Sequence, residues 1–198
     1  MIDDKQYVKD ATRTESTKEE IILNPTLLAA TLEIFIAAGT MLDFIKKNAF
    51  YDREYDSEKF KVSFTQIASA LMELQPVIAQ MEQDEIKMMP DRNVGVVDVN
   101  PRIFHSIIGT ATEATEMVEA LVKSFSAPNM DDINLLEEVG DVMWYFAILL
   151  DEMDGDLDTI MTTNIAKLKA RFPEKFTNDN ANTRDLETEK EILKKNVE

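Results

Sequence analysis

The stretch from Pro25 to Lys47 does most to limit what this chain can fold into. Its apolar residues follow a helical pattern on most sides, and it opens on Asn24-Pro25, an N-cap residue followed by proline at the first helical position. Such a helix has to be covered by other elements. Glu33 and Asp43 interrupt its apolar surface and Gly39 weakens it, so a buried core helix is a better reading than a membrane span. The neighbouring segments repeat the theme. A short helix is expected over Asp4–Arg13, a long one over Ser57–Met89 interrupted or kinked at Pro76, and others over Arg102–Phe125, Ile133–Met153 and Leu157–Arg171. Asp131 or Asp132 is placed to cap the helix that begins at Ile133.

Turn signals separate these helices at Tyr51–Asp56, Ser126-Ala127-Pro128-Asn129 and Asp154-Gly155-Asp156, and Phe172-Pro173 ends the last long one. Pro90–Pro101 reads as a loop whose β-branched run, Val96-Val97-Asp98-Val99, is too short to imply a sheet. With only 5 glycines and 6 prolines in 198 residues, little else breaks the helical pattern. The expected fold is therefore all-α, an antiparallel helical bundle with short links. Residues 1–198 read as one domain, with a helical insertion at 24–90 and a polar tail, 178–198, that forms at most one further exposed helix.

Charge narrows the function. The net charge of −17 disfavours nucleic acid and anionic membrane as partners, and would repel a triphosphate unless cations intervene. The absence of cysteine removes disulfides and thiolate metal sites, and Met1-Ile2-Asp3-Asp4-Lys5 is not a signal peptide. A soluble, intracellular protein is expected.

The chemistry-bearing residues lie between Thr112 and Asp141. Glu113 and Glu116 stand three apart on one helix, and Glu138 and Asp141 repeat that spacing on the next. Each pair lies among apolar residues, Ile108, Met117 and Leu121 on one side, Leu135, Val142 and Phe146 on the other. Packed antiparallel, the helices would bring four carboxylates together, which protons or cations must neutralise. All-oxygen ligands favour Mg²⁺, with Mn²⁺ as a substitute. A single pair at this spacing is usually a solvated face; two embedded pairs on successive helices are a stronger signal. A di-iron bundle would need Glu-x-x-His repeats, and the only histidine, His105, does not follow a glutamate at that spacing.

On the following helix Lys167 and Arg171 are one turn apart, a spacing able to hold two phosphate oxygens. Cations in a last helical turn also complement the helix dipole, so this pair alone decides nothing. Trp144, Tyr145, Phe104 and Phe125 are able to stack on a base, although aromatics at helical spacing are core residues more often.

Three segments in register, Ala111-Thr112-Glu113-Ala114-Thr115-Glu116, Leu135–Tyr145 with Glu137-Glu138-Val139-Gly140-Asp141 at its centre, and Asn164–Pro173, resemble the MazG-like nucleotide pyrophosphohydrolases, the all-α NTP pyrophosphatases. The resemblance spans about residues 102–177, and Tyr7–Ser16 together with the long insertion is similar to phage-encoded members. It implies hydrolysis of an NTP or dNTP to nucleoside monophosphate and pyrophosphate, by water attack on the α-phosphorus, in nucleotide-pool control. Glu113, Glu116, Glu138 and Asp141 would hold Mg²⁺. Lys167 and Arg171 would bind the phosphates, and Asn164 and Trp144 would contact substrate. Thr112 replaces the first glutamate of the family motif, which leaves Glu113, Glu116 and Glu137 as candidates for the water-activating base, with Glu119 a weaker one. The resemblance also implies a homodimer or higher homo-oligomer, acting in the cytoplasm (the host's, if phage-encoded). The alternative from another class is a non-catalytic nucleotide-sensing or interaction protein on the same bundle.

Thr40–Lys47 aligns with Glu116–Lys123 in apolar, acidic and basic positions, placing Ala37 and Thr40 where Glu113 and Glu116 stand. The insertion then reads as a degenerate, ligand-free copy of the metal-binding helix pair, packed against it within one chain. Any two amphipathic bundle helices would align as well, so both readings stand open.

Overall fold

A computed structural model describes residues 3–54, 56–83, 95–126 and 129–194 of the chain. Among them are eight helices and one two-stranded sheet: α1 (Asp4–Thr12), β1 (Ile21–Leu23), α2 (Pro25–Tyr51), α3 (Ser57–Gln83), β2 (Gly95–Val97), α4 (Pro101–Ser124), α5 (Asp132–Glu152), α6 (Leu157–Arg171), α7 (Asn178–Asn182) and α8 (Leu186–Lys194). The all-α expectation holds. The helix starts are where the capping residues put them. Asn24, fully buried, accepts the Leu27 N–H at 3.0 Å, Asn100 accepts from Arg102 and Ile103, and Asp131 accepts from Asn134 at 3.1 Å.

The described residues fall into two compact units. The first comprises residues 3–21, 98–126, 129–167 and 191–194; the second comprises 22–54, 56–83, 95–97 and 168–190. The division follows from each long helical hairpin having a seam of its own. In the second unit α2 packs on α3 through Ala30, Ala70 and Leu74, flanked by Leu27 and Ile34. Small residues let the two helices approach closely and leave the bulky side chains elsewhere. Phe35, Ile36, Leu42 and Phe50 are exposed, so α2 is not the all-round buried helix expected, although it is long and apolar enough to cross a membrane. It runs on to Tyr51, where Asp52 ends it in the left-handed region at φ 51°.

Three further expectations need correction. The Val96 run is not a loop: Gly95–Val97 pairs with Ile21–Leu23. Residues 84–94, expected to hold the end of the third helix and the start of the loop, lie outside the described residues, as do Ala127 and Pro128 of the expected break. α3 is not interrupted at Pro76 but continues through it, with Leu74 and Val77 buried on either side. The tail carries two helices rather than one exposed one, with Glu189 buried. In the second unit Asn178 donates to Asp52 at 2.6 Å and Phe176 packs on Tyr51, so the segment after α6 is tied to the end of α2.

In the first unit α4 and α5 run antiparallel, as their contacts show: Arg102 meets Asp151 and Glu152, Gly109 meets Tyr145, and Glu113 meets Glu138. α1 lies on α5, where the Trp144 Nε1–H is shared between the Ala11 carbonyl (3.1 Å) and Thr14 Oγ1 (3.0 Å). Arg102 ties the N-terminus of α4 to the segment after α1. Its guanidinium makes bidentate contact with Glu15, whose side chain is only 4% exposed, and reaches Asp151 and Glu152 at 2.8 Å each. These carboxylates, Glu15 foremost, raise the Arg102 pKa against the opposing effect of burial.

Gly109 sets how close α4 and α5 come. A Cβ there would lie 2.0 Å from the Tyr145 ring, whereas one at Gly140 meets nothing within 4 Å. Gly140→Ala should therefore gain helix propensity, up to about 1 kcal/mol. Gly109→Ala should lose about 1–3 kcal/mol despite the same gain, because the ring has to move. Urea unfolding of both variants tests this; equal effects would mean that the crossing does not depend on Gly109.

Candidate metal centre

One helical turn beyond the Gly109–Tyr145 crossing, the two helices present their acidic faces to each other. One carboxylate oxygen from each of Glu113, Glu116 and Glu138 lies within 4.8 Å of the others. Glu138 is buried, Glu113 half-buried and Glu116 exposed, so the cluster is open on the Glu116 side. Glu138 is held in place by its own helix: Asn134, one turn earlier, donates Nδ2–H to Glu138 Oε1 at 2.5 Å.

Crowding shows in the protonation of the site. The Glu113 pKa is raised first by burial, then by the charges of Glu116 and Asp141 and by a hydrogen bond with Glu138. Like charges crowded in this way favour the uptake of a proton or of a cation. Burial and the charges of Glu113, Asp141 and Glu116 raise Tyr145. Tyr7 of α1 is raised by burial and by Asp141. Asp141 thus borders the cluster, though it is exposed and not among the three carboxylates that converge. The donor set is all carboxylate oxygen, anionic and partly desolvated, and it fits a hard divalent cation such as Mg²⁺ or Mn²⁺.

The remaining expected site residues are placed as follows. Thr112, at the position of the missing glutamate, donates its hydroxyl to the Gly109 carbonyl at 2.8 Å and is spent on its own helix. Glu137 is exposed and outside the cluster, and Glu119 is exposed and paired with Lys123 at 3.8 Å. Trp144, expected to contact substrate, instead clamps α1 with its N–H and packs edge-on against His105 and Tyr145. Lys167 is half-buried and forms no ion pair among the described residues, while Asn164 is exposed one turn before it. Arg171 is ion-paired within the second unit. Glu189 takes its guanidinium fork at 2.8 and 2.6 Å.

Asn134, Gly109 and Tyr7 were not foreseen. The first two had a readable signal: an amide one turn before a buried glutamate, and a glycine inside a long amphipathic helix. Tyr7 reaches Asp141's surroundings only through the packing of α1 on α5, which no local pattern states.

Known proteins resemble this part of the chain. Residues 106–176 match the MazG nucleotide pyrophosphohydrolase domain family. The "Gene 37 protein" of Mycobacterium phage L5 is 33% identical over 69 residues, covering 33% of this chain and 59% of that protein. No solved structure matches. The matched segment 106–176 holds every converging carboxylate, so the resemblance read from the motifs is to the nucleotide pyrophosphohydrolase family over this segment.

Because Glu113 holds its proton more tightly folded than unfolded, the associated stability is complete below the ordinary glutamate range. It is lost as the pH rises through that range to the raised value. Glu116→Gln removes one of the charges responsible. In chelator at neutral pH this variant should melt about 2–4 °C above the parent chain, and the gap should close on acidification. A lower melting temperature at neutral pH would mean that the carboxylates are not in repulsive contact.

Proposed function

We propose that this chain is a Mg²⁺-dependent nucleoside triphosphate pyrophosphohydrolase, cutting an NTP or dNTP between the α- and β-phosphates. The observation that carries the reading is the convergence of Glu113, Glu116 and Glu138 inside the segment that matches the nucleotide pyrophosphohydrolase domain. Glu113, Glu116 and Glu138 would hold the ion, with Asp141 adding its charge from the next turn of α5. Bound there, Mg²⁺ supplies charge neutralisation of the phosphate oxygens and a lowered pKa for a bound water.

The protein's own contributions follow from its geometry. Asn134 keeps Glu138 from rotating away, so the buried ligand is preorganised. A cation competes with protons for Glu113, whose pKa is raised, so cation affinity rises with pH. The proton of the attacking water goes to a carboxylate of this face, Glu113 or Glu116, rather than to exposed Glu137. Lys167 neutralises charge on the departing pyrophosphate, and Asn164, one turn earlier, contacts substrate. The exposed apolar side chains of α2 and α3, including Phe35, Ile36, Phe64 and Met72, support association of chains into a homodimer. Control of a nucleotide pool places the activity in a cytoplasm.

The deciding experiment is to incubate the full chain with a panel of NTPs and dNTPs, with Mg²⁺, with Mn²⁺ and with chelator. Nucleoside monophosphate and pyrophosphate are expected in equal amounts, and only with a cation. Release of orthophosphate, or nucleotide binding without turnover, would overturn the reading, the latter in favour of a sensing protein. Asp141→Asn should lower activity by about 10–100-fold through weaker cation binding, with the fold intact by circular dichroism.

Lys167→Ala should cost about 1.5–3 kcal/mol in kcat/KM for a triphosphate, with little effect on thermal stability. Unchanged kinetics would return Lys167 to a helix-dipole role.

A further inference from the structure

We propose that a cavity formed by the start of α4 and the segment after α1 is the nucleobase site for the proposed reaction, with Phe104 as its stacking surface and His105 as its hydrogen-bonding group. The cavity lies wholly within the first unit and measures about 190 Å³. Ile21, Pro101, Phe104 and His105 wall it, together with Glu15 and Arg102. A single base suits a space of this size, whereas larger organic ligands occupy roughly 300–1,000 Å³.

The charges around the cavity are spent or in solvent. Arg102 is paired with Glu15, Asp151 and Glu152, and Glu15 is committed to that same guanidinium. Lys18 also lines the cavity but is exposed, so its charge is screened. Ser16 and Thr17 add exposed hydroxyls, and the rest of the wall is apolar or aromatic. Such a wall favours an uncharged, flat occupant with polar edges. Phe104 packs on no other ring among the described residues, unlike His105, Trp144 and Tyr145, so no protein ring competes for its face. Every base has a face that stacks on an aromatic side chain.

His105 has hydrogen-bonding capacity to spare. Trp144 and Tyr145 hold its ring edge-on, with centroids 5.9 and 5.4 Å away, so packing alone fixes its orientation. Its Nδ1 is buried without a hydrogen-bond partner, while Nε2 is not sealed in this way and is also unengaged among the described residues. An imidazole nitrogen donates or accepts according to its tautomer, and base edges present both kinds of group.

The cavity also stands at a useful distance from the carboxylates. Glu113 follows His105 by about two turns of α4, roughly 12 Å along the axis, and glutamate side chains lean back towards the helix N-terminus. Tyr145 connects the two places, because its ring packs on His105 and over Gly109 while Glu113 and Glu116 act on its hydroxyl. A sugar and one phosphate bridge such a separation. The choice of a nucleobase as the occupant rests on the proposed reaction, whereas the cavity, the unpaired ring and the unspent imidazole do not.

The test uses the full chain in chelator with free nucleosides, which carry the base and no phosphate. Trp144, the only tryptophan, sits against His105 and reports on the site by its emission, excited where nucleosides do not absorb. At least one nucleoside should change that emission saturably, and inorganic tripolyphosphate should not. Phe104→Leu keeps an apolar side chain but removes the ring, and should weaken nucleoside binding at least about fivefold. In the parent chain the same nucleoside should slow hydrogen exchange over residues 15–21, which line the cavity. The proposal is overturned by the absence of a saturable change with any nucleoside, by parent affinity in Phe104→Leu, or by exchange over 15–21 that nucleoside does not slow. Should Phe104→Leu fail to fold, exchange in the parent chain decides alone. A chain that binds nucleosides here yet releases no pyrophosphate from any triphosphate would lose the proposed reaction and keep the site; the reverse result would keep the reaction and lose the site.

Discussion

The close crossing of α4 and α5 at Gly109 and Tyr145 is the constraint on which the first unit depends. A helix pair separated by ordinary side chains would hold Glu113 and Glu138 apart, each carboxylate in its own water. At this crossing no side chain larger than hydrogen fits on α4, and the acidic faces one turn away are pressed into each other's solvation shells. Burial, and then the neighbouring charges of Glu116 and Asp141, raise the Glu113 pKa. Apolar packing around the crossing works against it, and so do two fastenings. The Trp144 indole pins α1 onto α5, and the Arg102 knot joins α4 to both the end of α5 and Glu15. Fold and site are in mechanical opposition, and a cation or proton relieves it.

That opposition bears on how so acidic a chain handles an anionic ligand. Its two most engaged arginine centres are saturated from within: Arg102 meets three carboxylates, while Arg171 and Arg184 share one. The first is over-neutralised and serves as a rivet. The second sets two guanidinium groups on one carboxylate, with Asp185 on the wall of the cavity beside them. Lys167 is half-buried and without an ion pair among the described residues of the first unit. A net charge of −17 is thus compatible with phosphate chemistry, because what counts is the local balance and not the sum.

The parts legible in the sequence are those fixed by local rules. Asn24-Pro25, Asn100-Pro101 and Asp131 set helix starts by capping, and the i, i+3 spacing of Glu113 with Glu116 and of Glu138 with Asp141 set which faces carry charge. The antiparallel pairing of α4 and α5 followed from the short link between them. The illegible parts depend on residues far apart in the chain. Trp144 looked like a stacking platform because its spacing said aromatic and nothing said that its N–H would be claimed by Ala11 and Thr14. Arg171 looked like a phosphate ligand because its partner, Glu189, lies in a stretch that reads as a polar tail. The short strand at Gly95–Val97 escaped because its pairing partner is Ile21–Leu23, more than seventy residues earlier by the numbering.

The insertion shows the same helical hairpin solved with the opposite chemistry. In the alignment that sets Thr40 on Glu116, Ala30 falls on Ser106 and Ala37 on Glu113, and all of these face inward to some degree. Thr40 bonds to the Ile36 carbonyl at 2.9 Å, leaving no ligand at that place. Glu33 falls on Gly109, yet it is exposed, so the tight glycine crossing has no counterpart. Across the seam, α3 offers Ala70, Leu74 and Val77, where α5 offers Glu138 and Asp141. One hairpin therefore closes on alanine and leucine and needs no ion. The other closes on glycine and tyrosine and gathers like charges. The shared inward stripe is what a common ancestry of the two hairpins requires, but any seam of heptad spacing also supplies it.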